Sequence, residues 1–219
     1  MVDYRQFRLS KLNTPEFSHV KLLLFWPIYL MAFFAAERLI PRDSYNIMYH
    51  PIDDLIPFNE WFLIPYLFWF VFMVGSVAYT FFYEPEAFRR LMKAMILTFS
   101  SAVVIFLIFP TCQELRPQSF DRDNLLTWFM AAFYQFDTST NVCPSLHVSG
   151  SLACAFGLAD TKRFSSRRWK AVGFGIAVLI SISTVFVKQH SVVDVFWGAV
   201  QALIVWVIVY IIPRMRKKV

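Results

Sequence analysis

Three short segments hold the residues in this sequence whose side chains do chemistry. Arg116-Pro117 supplies a guanidinium, and Pro144-Ser145-Leu146-His147 supplies a hydroxyl and an imidazole. Lys188-Gln189-His190 adds an ammonium and a second imidazole, with a carboxylate at Asp194 four residues on. Residues four apart share a helix face, so a helix that has begun by His190 brings Asp194 against its ring. A carboxylate on one imidazole nitrogen fixes the tautomer and leaves the other nitrogen as a nucleophile or base. Pro144 suits the first position of a helix, which puts Ser145 and His147 in the first turn. There, unpaired N–H groups and the partial positive charge attract phosphate, and Arg116 and Lys188 add cations suited to the same anion. The chemistry this points to is an anion pocket with an aimed histidine.

Three other readings compete. Two His and one Asp also make a metal site, but a cation beside Arg116 and Lys188 meets repulsion, so no metal is expected. His190 and Asp194 taken alone read as a polar pair joining two helices. His147 taken alone reads as a packing histidine. His19 and His50 have no such neighbours and read as structural or interfacial.

The elements that position these groups are written in the composition. Of 219 residues, 58% are hydrophobic and only 16% are charged, against about a quarter charged in soluble domains. The apolar residues fall in blocks, as in membrane proteins. Spans are expected near 22–40, 61–83, 94–111, 144–159, 171–187 and 192–213. The first is extended across Glu37 and Arg38, whose long side chains reach the interface. The fourth contains Ser, Gly and His and needs shielding by its neighbours. The expected fold is therefore all-α: a six-helix transmembrane bundle forming one membrane-embedded domain over residues 1–219. The first 20 residues are polar, so no cleavable signal peptide is expected.

Charge sets the orientation. With both termini cytoplasmic, the inner segments hold all the Lys and Arg except Arg38, Arg42, Arg116, Arg122 and Lys188, a split of 16 to 5. The net charge of +6 is thus that of membrane flanks and does not imply nucleic acid. All three reactive segments fall on the outer face, where convergence of ionisable groups at membrane depth points to function. Two outer segments are long. Residues 37–60 mix apolar and acidic residues and read either as a connector or as a segment lying along the interface. Residues 124–136 read either as a connector or as a short amphipathic helix. Cys112 and Cys143 sit four residues before Arg116 and His147, so they are either close enough for a disulfide or two free thiols near the surface.

These residues resemble the type 2 phosphatidic acid phosphatase superfamily, with motifs K-x6-R-P, P-S-G-H and S-R-x5-H-x3-D. Arg116-Pro117 matches the end of the first, and Pro144-Ser145-Leu146-His147 the second. Ser183-Thr184, five residues, then His190 and Asp194 match the third. The resemblance implies that His190 forms a phosphohistidine, Asp194 orients it, His147 protonates the leaving oxygen, and Arg116 and Ser145 bind phosphate. Phe109, Leu146 and Thr184 stand where the motifs have Lys, Gly and Arg. Lys188 restores one of the lost charges. The Pro-Ser-Leu-His form is similar to that of inositol phosphorylceramide synthases, and two His with one Asp also mark sphingomyelin synthases. The expectation is a metal-free and cofactor-free lipid phosphatase of a bacterial plasma membrane, acting on a lipid phosphate at the extracytoplasmic face. The alternative is a lipid phosphotransferase.

Overall fold

A chain surrounded by hydrocarbon must satisfy its backbone N–H and C=O groups internally, so long apolar blocks fold as helices. The computed structural model describes residues 2–216, which leaves Lys217 and Lys218 of the expected inner charges outside the described residues. A 3-10 segment, Ser18–Leu24, leads into α1 (Phe25–Leu39). There follow the single-turn α2 (Ile52–Leu55), α3 (Leu63–Tyr83), α4 (Pro85–Ile108), α5 (Leu125–Phe136) and α6 (Leu146–Ala159). The chain ends with α7 (Arg167–Phe186), α8 (Val192–Trp206), a π-helical turn at Val207–Ile211 and α9 (Ile212–Arg216). Two-residue strands β1 (Asn46–Ile47) and β2 (Thr111–Cys112) pair in parallel.

Among the described residues, five stretches are long and apolar enough to cross a membrane: Ser18–Leu39, Glu60–Tyr83, Pro85–Ile108, Arg167–Phe186 and Val192–Arg216. Their outward side chains, among them Ile28, Met31, Val71, Val74 and Ile204, are more than half exposed. In water such a surface would drive association; in lipid it is the solvated face. The chain is an all-helical integral membrane protein.

Of the six expected spans, five are long apolar helices and the fourth, expected to need shielding, is the short central helix α6. Helix α6 has 14 residues, about 21 Å of rise against roughly 30 Å of hydrocarbon. It packs against α3, α4, α7 and α8, and most of its residues are buried. The Ser149 and Ser151 hydroxyls donate back to the carbonyls of Ser145 and His147, which removes the cost of burying them. Small residues let neighbours close in: a Cβ on Gly157 would lie 2.7 Å from Leu91. Helix limits also pass beyond the charge-free stretches. Helix α4 opens with Pro85 in its first turn and carries Arg89, Arg90 and Lys93 within it.

Contacts at the two ends of the bundle define two faces. At one, Asp160 after α6 is held by Arg90 and Arg214, and the Glu84 carboxylate accepts from the Lys162 amide. His19 is buried there, 2.8 Å from the Tyr4 hydroxyl. The opposite face carries α2, α5 and the starts of α6 and α8. Helix α5 resolves the choice left by the sequence over 124–136: Asn124 caps it in a capping box with Thr127, and Leu125, Trp128 and Phe129 lie exposed.

Candidate active site

The turn from α7 to α8 is tight. Lys188 adopts a left-handed backbone (φ 53°), and the amides of Gln189 and His190 both donate to the Thr184 carbonyl. Ser191 caps α8, so His190 precedes the helix instead of lying within it, a correction to the shared-face argument. The contact forms by another route. Asp194 occupies the third helical position of a capping box, where its Oδ2 accepts from the Ser191 amide at 3.0 Å. The same oxygen lies 3.2 Å from His190 Nδ1. One fully buried carboxylate thus caps the helix and orients the imidazole.

His190 Nε2 faces His147 Nδ1 at 3.3 Å. In the tautomer that places the His190 proton on Nδ1, toward Asp194, Nε2 keeps a lone pair on the side facing His147 Nδ1. Asp194, His190 and His147 therefore form a line, not a cluster around a point, which is poor geometry for a shared metal ion. Among the described residues, no group of three or more His, Cys, Asp or Glu is arranged to hold one.

The start of α6 is bound to α8. Ser145 is the N-cap residue, so Pro144 stands outside the helix and His147 is its second residue, which corrects the expected place of Pro144. The Ser145 amide donates to the Asp194 carbonyl at 3.1 Å. This approach requires Gly198, because a Cβ there would lie 2.7 Å from the Ser145 carbonyl oxygen. The Ser145 Oγ is buried without a hydrogen-bond partner. The His147 ring is held between Tyr66 and Trp69 of α3, each 4.4 Å away between centroids.

The two expected cations are differently placed. Arg116 donates to Gln189 Oε1 through Nε (3.0 Å) and Nη2 (2.5 Å). It also reaches the carbonyls of Tyr134 (2.9 Å) and Asp137 (2.6 Å), and its guanidinium lies over the Tyr134 ring. Burial lowers its pKa, with Asp137 opposing that shift. Arg116 thus joins the α5 end to the His190 turn. Lys188 turns away, and its Nζ donates to the Asp53 carbonyl at 2.7 Å. Burial also lowers the Lys188 pKa.

Two carboxylates escaped the sequence reading. Asp53, 2% exposed in α2, accepts from the Ser191 hydroxyl (2.6 Å), the Val192 amide (2.9 Å) and the His50 amide (2.8 Å). It anchors the start of α8 from 138 residues away; the acidic pair Asp53-Asp54 inside an apolar segment was its only signal. Asp137, just past α5, accepts from Tyr66 Oη (2.9 Å) and Gln189 Nε2 (2.7 Å). Burial raises its pKa, while Tyr66, His190, Arg116 and Gln189 act against the rise. Nothing in the sequence around it marks it out.

A cavity of about 730 Å³ opens beside the histidines. Aromatic and aliphatic residues of α1 and α3, from Trp26 to Phe34 and from Trp69 to Phe82, line most of it. Its polar end is formed by Glu37, Asp137, Thr138, Thr140, Asn141, Gln189, His147 and His190. The three cysteines are free thiols. Cys143 is buried and its thiol is pushed up to about 12, by burial first and then by the Asp194 charge.

The fold and site are those of an integral membrane protein of apolar helices, with a buried Asp–His–His line beside an apolar cavity. The family model of the PAP2 superfamily matches residues 90–218, more than half of the chain, so this protein belongs to that superfamily. The match takes in Arg116, Ser145, His147, Lys188, His190 and Asp194 and leaves out Asp53. Members are phosphatases or phosphotransferases. No curated protein and no solved structure matches the chain.

Proposed function

We propose that this protein cleaves a phosphate ester of a lipid at the extracytoplasmic face, through a phosphohistidine on His190. The observation that carries the reading is the placement of His190 Nε2, aimed by Asp194, facing His147 and opening on the apolar cavity. His190 Nε2 attacks phosphorus. The bond from phosphorus to the leaving oxygen breaks, and His147, as imidazolium, gives that oxygen its proton. In the second half-reaction water attacks the phosphohistidine and returns a proton to His147, while the N–P electron pair goes back to His190. Ser145 and Arg116 bind the phosphoryl oxygens, Arg116 after exchanging part of its contact with Gln189; Lys188 serves the same charge at longer range. No metal or cofactor enters these steps.

The sidedness rests on the distribution of Lys and Arg. The site lies on the face opposite Arg90, Asp160 and Arg214, so both termini are cytoplasmic and α6 links the two faces as a sixth, shortened pass. A bacterial plasma membrane suits that arrangement. Transfer to a lipid hydroxyl is a second reading, favoured by the apolar lining of the cavity, which admits a chain and keeps water sparse. Purified protein with labelled phospholipid, with and without an acceptor lipid, tests both. Free phosphate or a free phosphorylated head group marks hydrolysis, and a new labelled lipid marks transfer. Activity should survive chelators and fall with vanadate, a mimic of the phosphoryl transition state; loss with chelator and rescue by one divalent ion would overturn the mechanism.

A further inference from the structure

The charges around the cavity bear on which phosphate ester it accepts. Among the described residues lining it there is no Lys or Arg, whereas Glu37 and Asp137 both line its polar end. Arg116 and Lys188, the two cations of the proposed mechanism, lie outside that lining and already share their charge with protein groups. Arg116 is held by Gln189 and by the carbonyls of Tyr134 and Asp137, and the Asp137 carboxylate offsets its charge through the shared Gln189. Lys188 is directed at the Asp53 carbonyl and does not line the cavity. Asp194 adds a further buried negative charge behind His190.

A phosphomonoester carries about −1.5 to −2 at neutral pH, whereas a phosphodiester carries a single negative charge. In a partly buried site the second charge meets Asp137 and Glu37 with little screening. A carboxylate facing a cavity also favours a donor over another acceptor. Gln189 and Tyr66 occupy Oδ2 of Asp137, which leaves Oδ1 for such a donor.

Building on the phosphate-ester reading above, we infer that the substrate of this site is a phosphodiester lipid whose head group donates a hydrogen bond, from a hydroxyl or an ammonium, to the Asp137 carboxylate. The chain of that lipid lies between α1 and α3, and its phosphorus sits at His190 Nε2. Attack by Nε2 breaks one of the two ester bonds, and the departing alcohol takes the proton of His147. The other ester stays on the phosphohistidine, which therefore keeps a single negative charge throughout. Asp137 acts in this scheme as a specificity residue.

The test compares kcat/KM for three probes in mixed vesicles: phosphatidic acid as the monoester, and phosphatidylglycerol and phosphatidylethanolamine as diesters with donor-bearing head groups. Wild-type protein should consume at least one diester faster than phosphatidic acid. Asp137→Asn keeps the shape and removes the charge, and should shift the diester-to-monoester ratio toward phosphatidic acid by about tenfold, a change in ΔG‡ of about 1.4 kcal/mol. Asp137→Glu keeps the charge and should keep the preference, which separates charge from a merely structural role and stands in if Asp137→Asn fails to fold. A wild-type preference for phosphatidic acid, or the same ratio in Asp137→Asn, overturns the phosphodiester assignment alone. A wild type that consumes none of the three, under conditions where the folded protein is verified, overturns the phosphate-ester reading and this inference with it.

Discussion

The Ser145 amide donates to the Asp194 carbonyl at 3.1 Å, and through that one bond the start of α6 and the start of α8 become a single unit. The unit carries Ser145 and His147 on one helix and Asp194 on the other, with His190 one residue before the α8 cap. Chemistry that needs fixed distances between groups from separate helices gains directly from such a tie.

Removing the aimed histidine should abolish turnover. His190→Ala lacks the attacking nitrogen, and residual rates should fall below about 10⁻³ of wild type. Asp194→Asn should fold but lose about 10³ to 10⁴ in kcat through the wrong tautomer. Initial rates on labelled lipid check both, and near-normal turnover by His190→Ala would rule out the phosphohistidine.

The packing of α8 on α6 depends on a hydrogen atom in place of a methyl group. In Gly198→Ala the new Cβ meets the Ser145 carbonyl oxygen at 2.7 Å. The helices must part, at about 1 to 3 kcal/mol, and the Ser145–Asp194 bond lengthens or breaks. Thermal unfolding in detergent should shift downward and kcat should fall further than stability alone explains. A variant with wild-type unfolding and rate would show that this approach is not needed.

Asp53 holds the same helix start from the other side. Asp53→Ala leaves the Ser191 hydroxyl and the Val192 amide without their buried acceptor. The expected loss is about 3 kcal/mol, with a lower kcat and little change in KM because Asp53 does not line the cavity. Asp53→Asn, which keeps an acceptor, should recover part of both. Equal stability of Asp53→Ala and wild type would contradict this role.

Sidedness is open to labelling in a background without native cysteines. Asp123→Cys lies in the exposed segment before α5, and Ser165→Cys in the exposed turn before α7. An impermeant thiol reagent should modify the first in intact cells and the second only after the membrane is opened. The reverse pattern would move the site to the cytoplasm.

The native thiols give a test with a defined pH direction. The Cys143 thiol, pushed up to about 12 by burial, remains protonated at pH 8 and should resist alkylation in the folded protein. Its reactivity should rise only as the pH approaches that value or the protein unfolds. A non-reduced digest should contain Cys112 and Cys143 in unlinked peptides; a linked pair would contradict the free thiols.

By itself the sequence determined the membrane class, the approximate places of the five long spans among the six it predicted, and the segments that carry Arg116, Ser145, His147, His190 and Asp194. Hydrophobic blocks and short motifs are local properties, readable wherever adjacent residues act together. The amphipathic α5 was half legible for the same reason: its apolar face repeats with the helix, but its cap at Asn124 depends on backbone geometry. The tertiary structure alone decided the rest. It made α6 a short central helix, because burial by four neighbours replaces the length that lipid contact would demand. It brought Asp53 to Ser191 and Asp137 to Gln189 across long stretches of chain, and it turned Lys188 toward Asp53. Such pairings depend on how helices approach one another, down to a clearance of one methyl group at Gly198, and no local pattern encodes that distance.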